Sequence, residues 1–172
     1  MSERWSGGAG GAPRGGVQRA RLPLLDRLLD ADPDAPEPPP PSAAVALERL
    51  RAAVRRDLEA LLNARRRRQP LPPELTELRT SPLHYGIPDA TSGAYAVAAR
   101  REALAREVEA TIRRFEPRLT AITVTLLSDE ADLGRALRLK VEAVLRADPV
   151  PEPVSFETLL EPVTRDVTVQ ER

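Results

Sequence analysis

"TIRRFEPRLTAITVTLL", residues 111–127, changes its period halfway along. Up to Phe115 the apolar residues recur at helical spacing: Val97, Leu104, Val108, Ile112 and Phe115. This pattern predicts an amphipathic helix from about residue 94 to residue 115. Beyond Arg118 the pattern alternates, with Ile122, Val124 and Leu126 on one face, as in a half-buried strand. Pro117 marks the changeover, because the residue before a proline is pushed out of helical geometry. "SDEADLG" (128–134) supplies a turn, and "ALRLKVEAVL" (136–145) alternates strictly, Leu137, Leu139 and Val141 against Arg138, Lys140 and Glu142. That is an antiparallel hairpin with one wet face. "DPVPEP" (148–153) breaks it, and "VSFETLL" (154–160) and "RDVTVQ" (165–170) read as two further strands. The expected architecture is α+β, with helices packed on one face of a small antiparallel sheet.

Working back toward the start, residues 43–65 read as a long helix. Leu47, Leu50, Val54, Leu58, Leu61 and Leu62 recur three and four apart. Ser42 is placed to cap its start, and Arg65–Arg68 to suit the negative end of its dipole. "QPLPPEL" (69–75) forbids helix, and "SPLHYGIPDATSG" (81–93) is a loop punctuated by proline and glycine. In "RLPLLDRLLDADPD" (21–34), Leu24, Leu25, Leu28 and Leu29 share one face of a short helix. Such a helix is too short to persist alone in water, so it must dock on its own domain or on a partner. "PDAPEPPPPS" (33–42) is a stiff extended spacer, and the Gly-rich residues 1–16 are expected to be disordered. Three units result: a tail over 1–16, a short helix with its spacer over 17–42, and a domain over 43–172.

Composition narrows the chemistry. The 172 residues are 41% hydrophobic but only 3% aromatic, so the core must be built from Leu, Val, Ile and Ala. There is no cysteine, which removes disulfides and thiolate metal sites. The one histidine, His84, leaves a zinc site with carboxylates for most of its ligands, an uncommon set. No metal or cofactor is expected. No apolar run approaches the ~20 residues of a membrane span, and the first residues lack a signal-peptide core, so cytoplasmic residence is expected. The 26 basic and 26 acidic residues cancel, and no global field points to nucleic acid.

Three groups of residues invite a chemical reading. The Arg65–Arg68 run could touch phosphates, but no aromatic residues interleave it to stack bases. His84 beside Tyr85 could do acid–base work; with no Ser or Cys nucleophile in a motif nearby, it reads as a loop histidine that bonds locally. Glu116, Pro117 and Arg118 are the third group. Glycoside hydrolysis generally needs two carboxylates roughly 5–10 Å apart. The next acids, Asp129, Glu130 and Asp132, belong to the turn at the far end of a strand, about 25 Å away. A fixed anchor for another chain is a second reading, since Pro117 sets the relative orientation of its neighbours and Arg113 and Arg114 add donors suited to bidentate contact. A charged helix stop is the third.

"LPLLDRLLD" (22–30), "LRAAVRRDLEALLNARRR" (50–67), "SPLHYGIPD" (81–89) and "IRRFEPRL" (112–119) occur in the order found in the TssE family, and the chain resembles that family from about Leu22 to Val169. TssE is the type VI secretion baseplate subunit related to the wedge protein of contractile phage baseplates, and the family's Glu-Pro-Arg signature stands here as Glu116, Pro117 and Arg118. The resemblance implies a non-enzymatic assembly protein with a fold similar to the core of the sheath subunits. It implies TssF and TssG as wedge partners, TssK nearby, and a sheet edge on which the first TssB–TssC sheath ring is laid. It also implies a cytoplasmic place at the baseplate docked on the inner-membrane complex, without membrane insertion. The family has been loosely termed lysozyme-like, and the alternative function is a muramidase using Glu116; a basic nucleic-acid module is a third.

Particular residues follow for the partner contacts. Glu116, Pro117 and Arg118, with Arg113 and Arg114, are expected at the wedge contact, with Glu116 and Arg118 exposed or nearly so in the isolated chain and buried only by partners. Leu24, Leu25, Leu28 and Leu29 are expected to dock on a baseplate partner or fold back conditionally. The strand 165–170 is the expected sheath-docking edge, with Val167 and Val169 facing the core, Arg165 and Thr168 outward, and the Thr168 N–H available to an added strand.

Overall fold

Helix α2 (Ala43–Asn63) begins where the prolines stop. The Ser42 hydroxyl accepts the Val45 N–H at 3.3 Å, which satisfies one orphan donor of the first turn, and its carbonyl accepts the first intrahelical bond, from the Ala46 N–H at 2.9 Å. Ala46, Leu50, Ala53, Val54, Leu58, Leu61 and Leu62 form its buried stripe. In this computed structural model the described residues are 24–28, 41–88, 98–127, 137–148, 150–160 and 166–172. The helix stops at Asn63, earlier than its pattern suggests. Ala64 turns extended, and residues 64–66 pair with Ile87: the Ile87 N–H donates to Ala64 O at 3.0 Å and the Arg66 N–H to Ile87 O at 2.9 Å. Arg65–Arg68 therefore lie beyond the helix, which carries no basic residue in its last turn.

The segment expected as a plain loop contains two 3-10 turns, Thr76–Thr80 and Pro82–His84. It is tied down at Gly86. There φ is +96°, and an added Cβ would lie 2.3 Å from Ala64 O, so only glycine fits. Arg66 straps the same place: its Nη2 donates to Gly86 O at 2.9 Å and to Thr111 Oγ1 at 2.8 Å, and its Nη1 pairs with Glu107.

Helix α3 (Ala98–Phe115) buries Leu104, Ala105, Val108, Thr111 and Ile112. Val97 lies outside the described residues. Phe115 is half-buried edge-on to Tyr85, ring centroids 5.3 Å apart. The chain then enters a four-stranded antiparallel meander, β1 (Leu119–Leu126), β2 (Leu137–Leu145), β3 (Glu152–Leu160) and β4 (Val167–Glu171), in that spatial order. In β1 Ala121 has φ +49° and the register slips between Thr120 and Thr123. This bulge lets Leu119 and Ile122, three residues apart, both face the core. β2 alternates as its sequence requires: Leu137, Leu139, Val141, Ala143 and Leu145 are buried, and Arg138 and Glu142 are exposed. The helices cover the apolar face around Leu139, Val141 and Phe156. The α+β expectation holds.

Candidate functional site

Glu116 closes the last turn of α3, its N–H donating to Ile112 O at 2.8 Å. Pro117 cannot continue the helix, and the Leu119 N–H folds back onto Glu116 O at 3.1 Å. The Glu-Pro-Arg triplet is thus a tight corner between α3 and β1. Pro117 is exposed, whereas Glu116 is only 4% exposed. This corrects the expectation that Glu116 stays accessible until a partner covers it. The cause is Arg118, whose side chain turns back over the corner. Its Nε donates to Glu116 Oε1 at 2.5 Å, its Nη2 pairs with Oε2, and its own N–H reaches Oε1 at 3.3 Å. Such a fork on a carboxylate is the arrangement in which a buried charge is best compensated.

The pair extends into a chain of alternating charges. Arg118 Nη2 also donates to Asp57 Oδ2 at 2.6 Å. Arg56 Nε and Nη2 take Asp57 Oδ1 at 3.1 and 3.0 Å. Arg56 Nη1 and Nη2 then reach Asp26 Oδ1 at 2.6 Å and Oδ2 at 3.3 Å. Asp26 lies in the short helix α1 (Leu24–Leu28). Burial by itself would lower the Arg118 pKa, but the hydrogen bonds to Glu116 and Asp57 hold it above its usual value. The hydrogen bond from Arg56 holds the Asp26 carboxyl below the usual carboxylate range. Burial, with Asp57 and Glu116 nearby, pushes the Tyr85 hydroxyl up.

Beside this chain lies an open groove of about 470 Å³, lined by Leu24, Leu61, Tyr85 and Phe115 and rimmed by Asp57 and the triplet. Both carboxylates of the groove share one guanidinium.

The structure does not bring every expected residue to this corner. Arg113 is exposed and pairs with Glu109 at 2.7 Å, on the side facing β1. Arg114 is half-buried near His84, whose pKa is lowered by burial and then by Arg66 and Arg114. Leu24 lines the groove, and Leu24, Leu25 and Leu28 are all exposed. Leu29, Arg165 and the acids Asp129, Glu130 and Asp132 lie outside the described residues. Sequence reasoning missed Asp57, Arg56 and Asp26. The available signal was Asp57 itself, an acid within the basic run of α2 and four residues from Leu61 on the groove side.

The sheet edges also differ from expectation. β4 is an edge strand, and Val167 and Val169 face the core. The Arg172 N–H donates to Ser155 O at 3.0 Å, which fixes the alternation: Thr168 turns its main-chain groups toward Leu159, and Val167 and Val169 turn theirs outward. The Thr168 N–H is therefore not available to an added strand. At Val167 the outward groups are already bound, the N–H to Asn63 Oδ1 at 2.8 Å and the carbonyl to Asn63 Nδ2 at 2.9 Å. Val169 is wholly buried, and Arg51 pairs with Glu171, so α2 lines this edge. On β1, Glu109 accepts the Val124 N–H at 3.3 Å, and Arg113 donates to Ile122 O at 3.4 Å. Helix side chains thus plug both edges.

Among the described residues no group of acids and His is placed to hold a metal ion, and no helix is long and apolar enough to cross a membrane. Residues 48–150, more than half of the chain, match the family model for the baseplate wedge protein gp25. No curated protein and no solved structure matches the chain.

Proposed function

The chain belongs to the baseplate wedge protein gp25 family, a family of structural baseplate components, and on that footing we propose that it is the corresponding non-catalytic wedge subunit of a type VI secretion baseplate. The observation that carries this reading is the Glu116–Pro117–Arg118 corner. Its carboxylate is spent on internal pairing, which suits a rigid contact point better than an acid catalyst. Pro117 is exposed at the tip, and a quarter of the Arg118 side chain remains accessible beside an apolar groove. A partner helix could lay apolar side chains in that groove and meet the remaining guanidinium donors.

In this reading TssF and TssG contact the corner, TssK lies nearby, and the assembly sits in the cytoplasm at a baseplate docked on the inner-membrane complex. The domain over 43–172 carries the wedge contact, with 17–42 as an accessory segment. The sheet offers the docking edge for the first sheath subunits, TssB and TssC. α2 lines the β4 edge, and side chains of α3 hold Val124 and Ile122 on the β1 edge, so strand addition at either edge must displace a helix side chain.

Co-purification with TssF and TssG tests the reading. The wild-type chain should be retained, and Arg118→Lys, which keeps the charge and loses the fork, should be retained less. A wild-type chain that does not co-purify overturns it.

A further inference from the structure

We propose that α1 is a displaceable cover over the Glu-Pro-Arg corner, closed by the ion pair between Asp26 and Arg56. Regulation of wedge contact by this cover rests on the corner being the wedge-binding site; the cover itself does not.

Three observations meet here. Leu24 forms one wall of a groove whose other walls, Leu61, Tyr85 and Phe115, belong to α2, the loop before α3 and the end of α3. Asp26 receives both terminal nitrogens of Arg56, so α1 is joined to the same charge chain that ends at Glu116. Yet Leu24, Leu25 and Leu28 remain 67%, 57% and 71% exposed. Among the described residues, the domain buries little of the apolar face of α1.

The balance of these contacts makes the cover weak. A five-residue helix has no stability of its own. Its apolar burial is slight, so the seat depends on the ion pair. Arg56 keeps 47% of its side-chain surface in water, where such pairs contribute little and are screened by salt. When α1 leaves, the groove loses the Leu24 wall, and Arg56 keeps its contacts to Asp57. The corner network survives opening, and what changes is access to Leu61, Tyr85 and Phe115. A partner that takes the place of the Leu24 wall must displace α1.

The absence of cysteine allows a direct test on the full chain. Spin labels at Leu25→Cys and at Thr125→Cys, an exposed position toward the far end of β1, report the distance across the corner by double electron–electron resonance. At low salt one narrow distance is expected. Asp26→Asn and, separately, high salt should broaden it and shift it outward, while Asp26→Glu should keep it narrow. A distribution that is broad in the parent, or unchanged by Asp26→Asn, overturns the cover. The second arm is affinity for purified TssF–TssG. Removing the pair should tighten binding about two- to fivefold, the factor by which a weak surface pair lowers the open population. Unchanged or weaker binding refutes regulation by the cover. If neither parent nor variant binds, the wedge reading fails, and the label distances still decide whether α1 is a cover.

Discussion

Arg118→Ala would strand a buried carboxylate. Glu116 is 4% exposed, and three of the hydrogen-bond contacts at its side chain come from Arg118. The substitution removes the two from the guanidinium and leaves, among the described residues, the main-chain N–H at 3.3 Å on Oε1. Breaking one side of a fully buried ion pair costs about 3–5 kcal/mol. Here the Arg118 side chain is 25% exposed, so water enters the vacated space and the cost falls to about 2–3 kcal/mol. The lost contact to Asp57, whose side chain is 35% exposed, adds at most about 1 kcal/mol. The expected destabilisation is therefore about 2–4 kcal/mol, or a fall in Tm of roughly 5–15 °C for a chain of this size. Urea unfolding followed by far-UV circular dichroism at neutral pH measures it. Glu116→Gln combined with Arg118→Ala should recover part of the loss, because a neutral amide is cheaper to leave half-paired. A loss below about 0.5 kcal/mol for Arg118→Ala, with no coupling to Glu116→Gln, would refute the assignment of the pair as buried and mutually dependent. The corner is thus both a surface and a structural tie, and its assembly phenotype is read with Arg118→Lys beside a measured stability.

Gly86→Ala should cost about 2–4 kcal/mol, from a positive φ and the overlap with Ala64 O, and a urea midpoint matching wild type would contradict that. Asn63→Ala removes a donor and an acceptor from the Val167 main chain. It should cost about 1–2 kcal/mol, and hydrogen exchange at the Val167 amide should accelerate; an unchanged rate would show that the amide does not seal this edge. His84 carries a lowered pKa in the folded chain, so the unfolded chain takes up its proton first. Stability from this group is full above about pH 6.5 and declines as pH falls through that value toward the folded pKa, and urea midpoints in His84→Asn should lose that part of the slope.

The sequence made the periodic features legible. Strict alternation in β2 identified its buried and wet faces residue by residue, and the leucine stripe of α2 identified its packing face. Pro117 located the handover from α3 to β1 correctly, because a proline acts through local sterics. Tertiary partners were not legible. Glu116 is buried because Arg118 folds back toward Asp57, 61 residues earlier, and period carries no information about that. Asn63 seals Val167 from 104 residues away, and nothing in "LLNARR" marks an edge plug. The bulge left one trace, two apolar residues three apart in Leu119 and Ile122, which a regular strand cannot place on one face. An alanine at positive φ runs against the usual residue preference, so Ala121 itself gave no warning.

The contact between Asn63 and Val167 also sets an order of events during synthesis. Strands β1 to β4 pair with sequence neighbours, and those short hairpins close quickly as the chain emerges. Helix α2 is made before all of them, and its leucine stripe packs beside β4, the last element to appear. At ribosomal rates of about 5–20 residues per second, the 104 intervening residues take roughly 5–20 seconds. For that interval the apolar stripe of α2 lacks its neighbour β4. The nascent chain, rather than the finished subunit, is the form of this protein most in need of a chaperone.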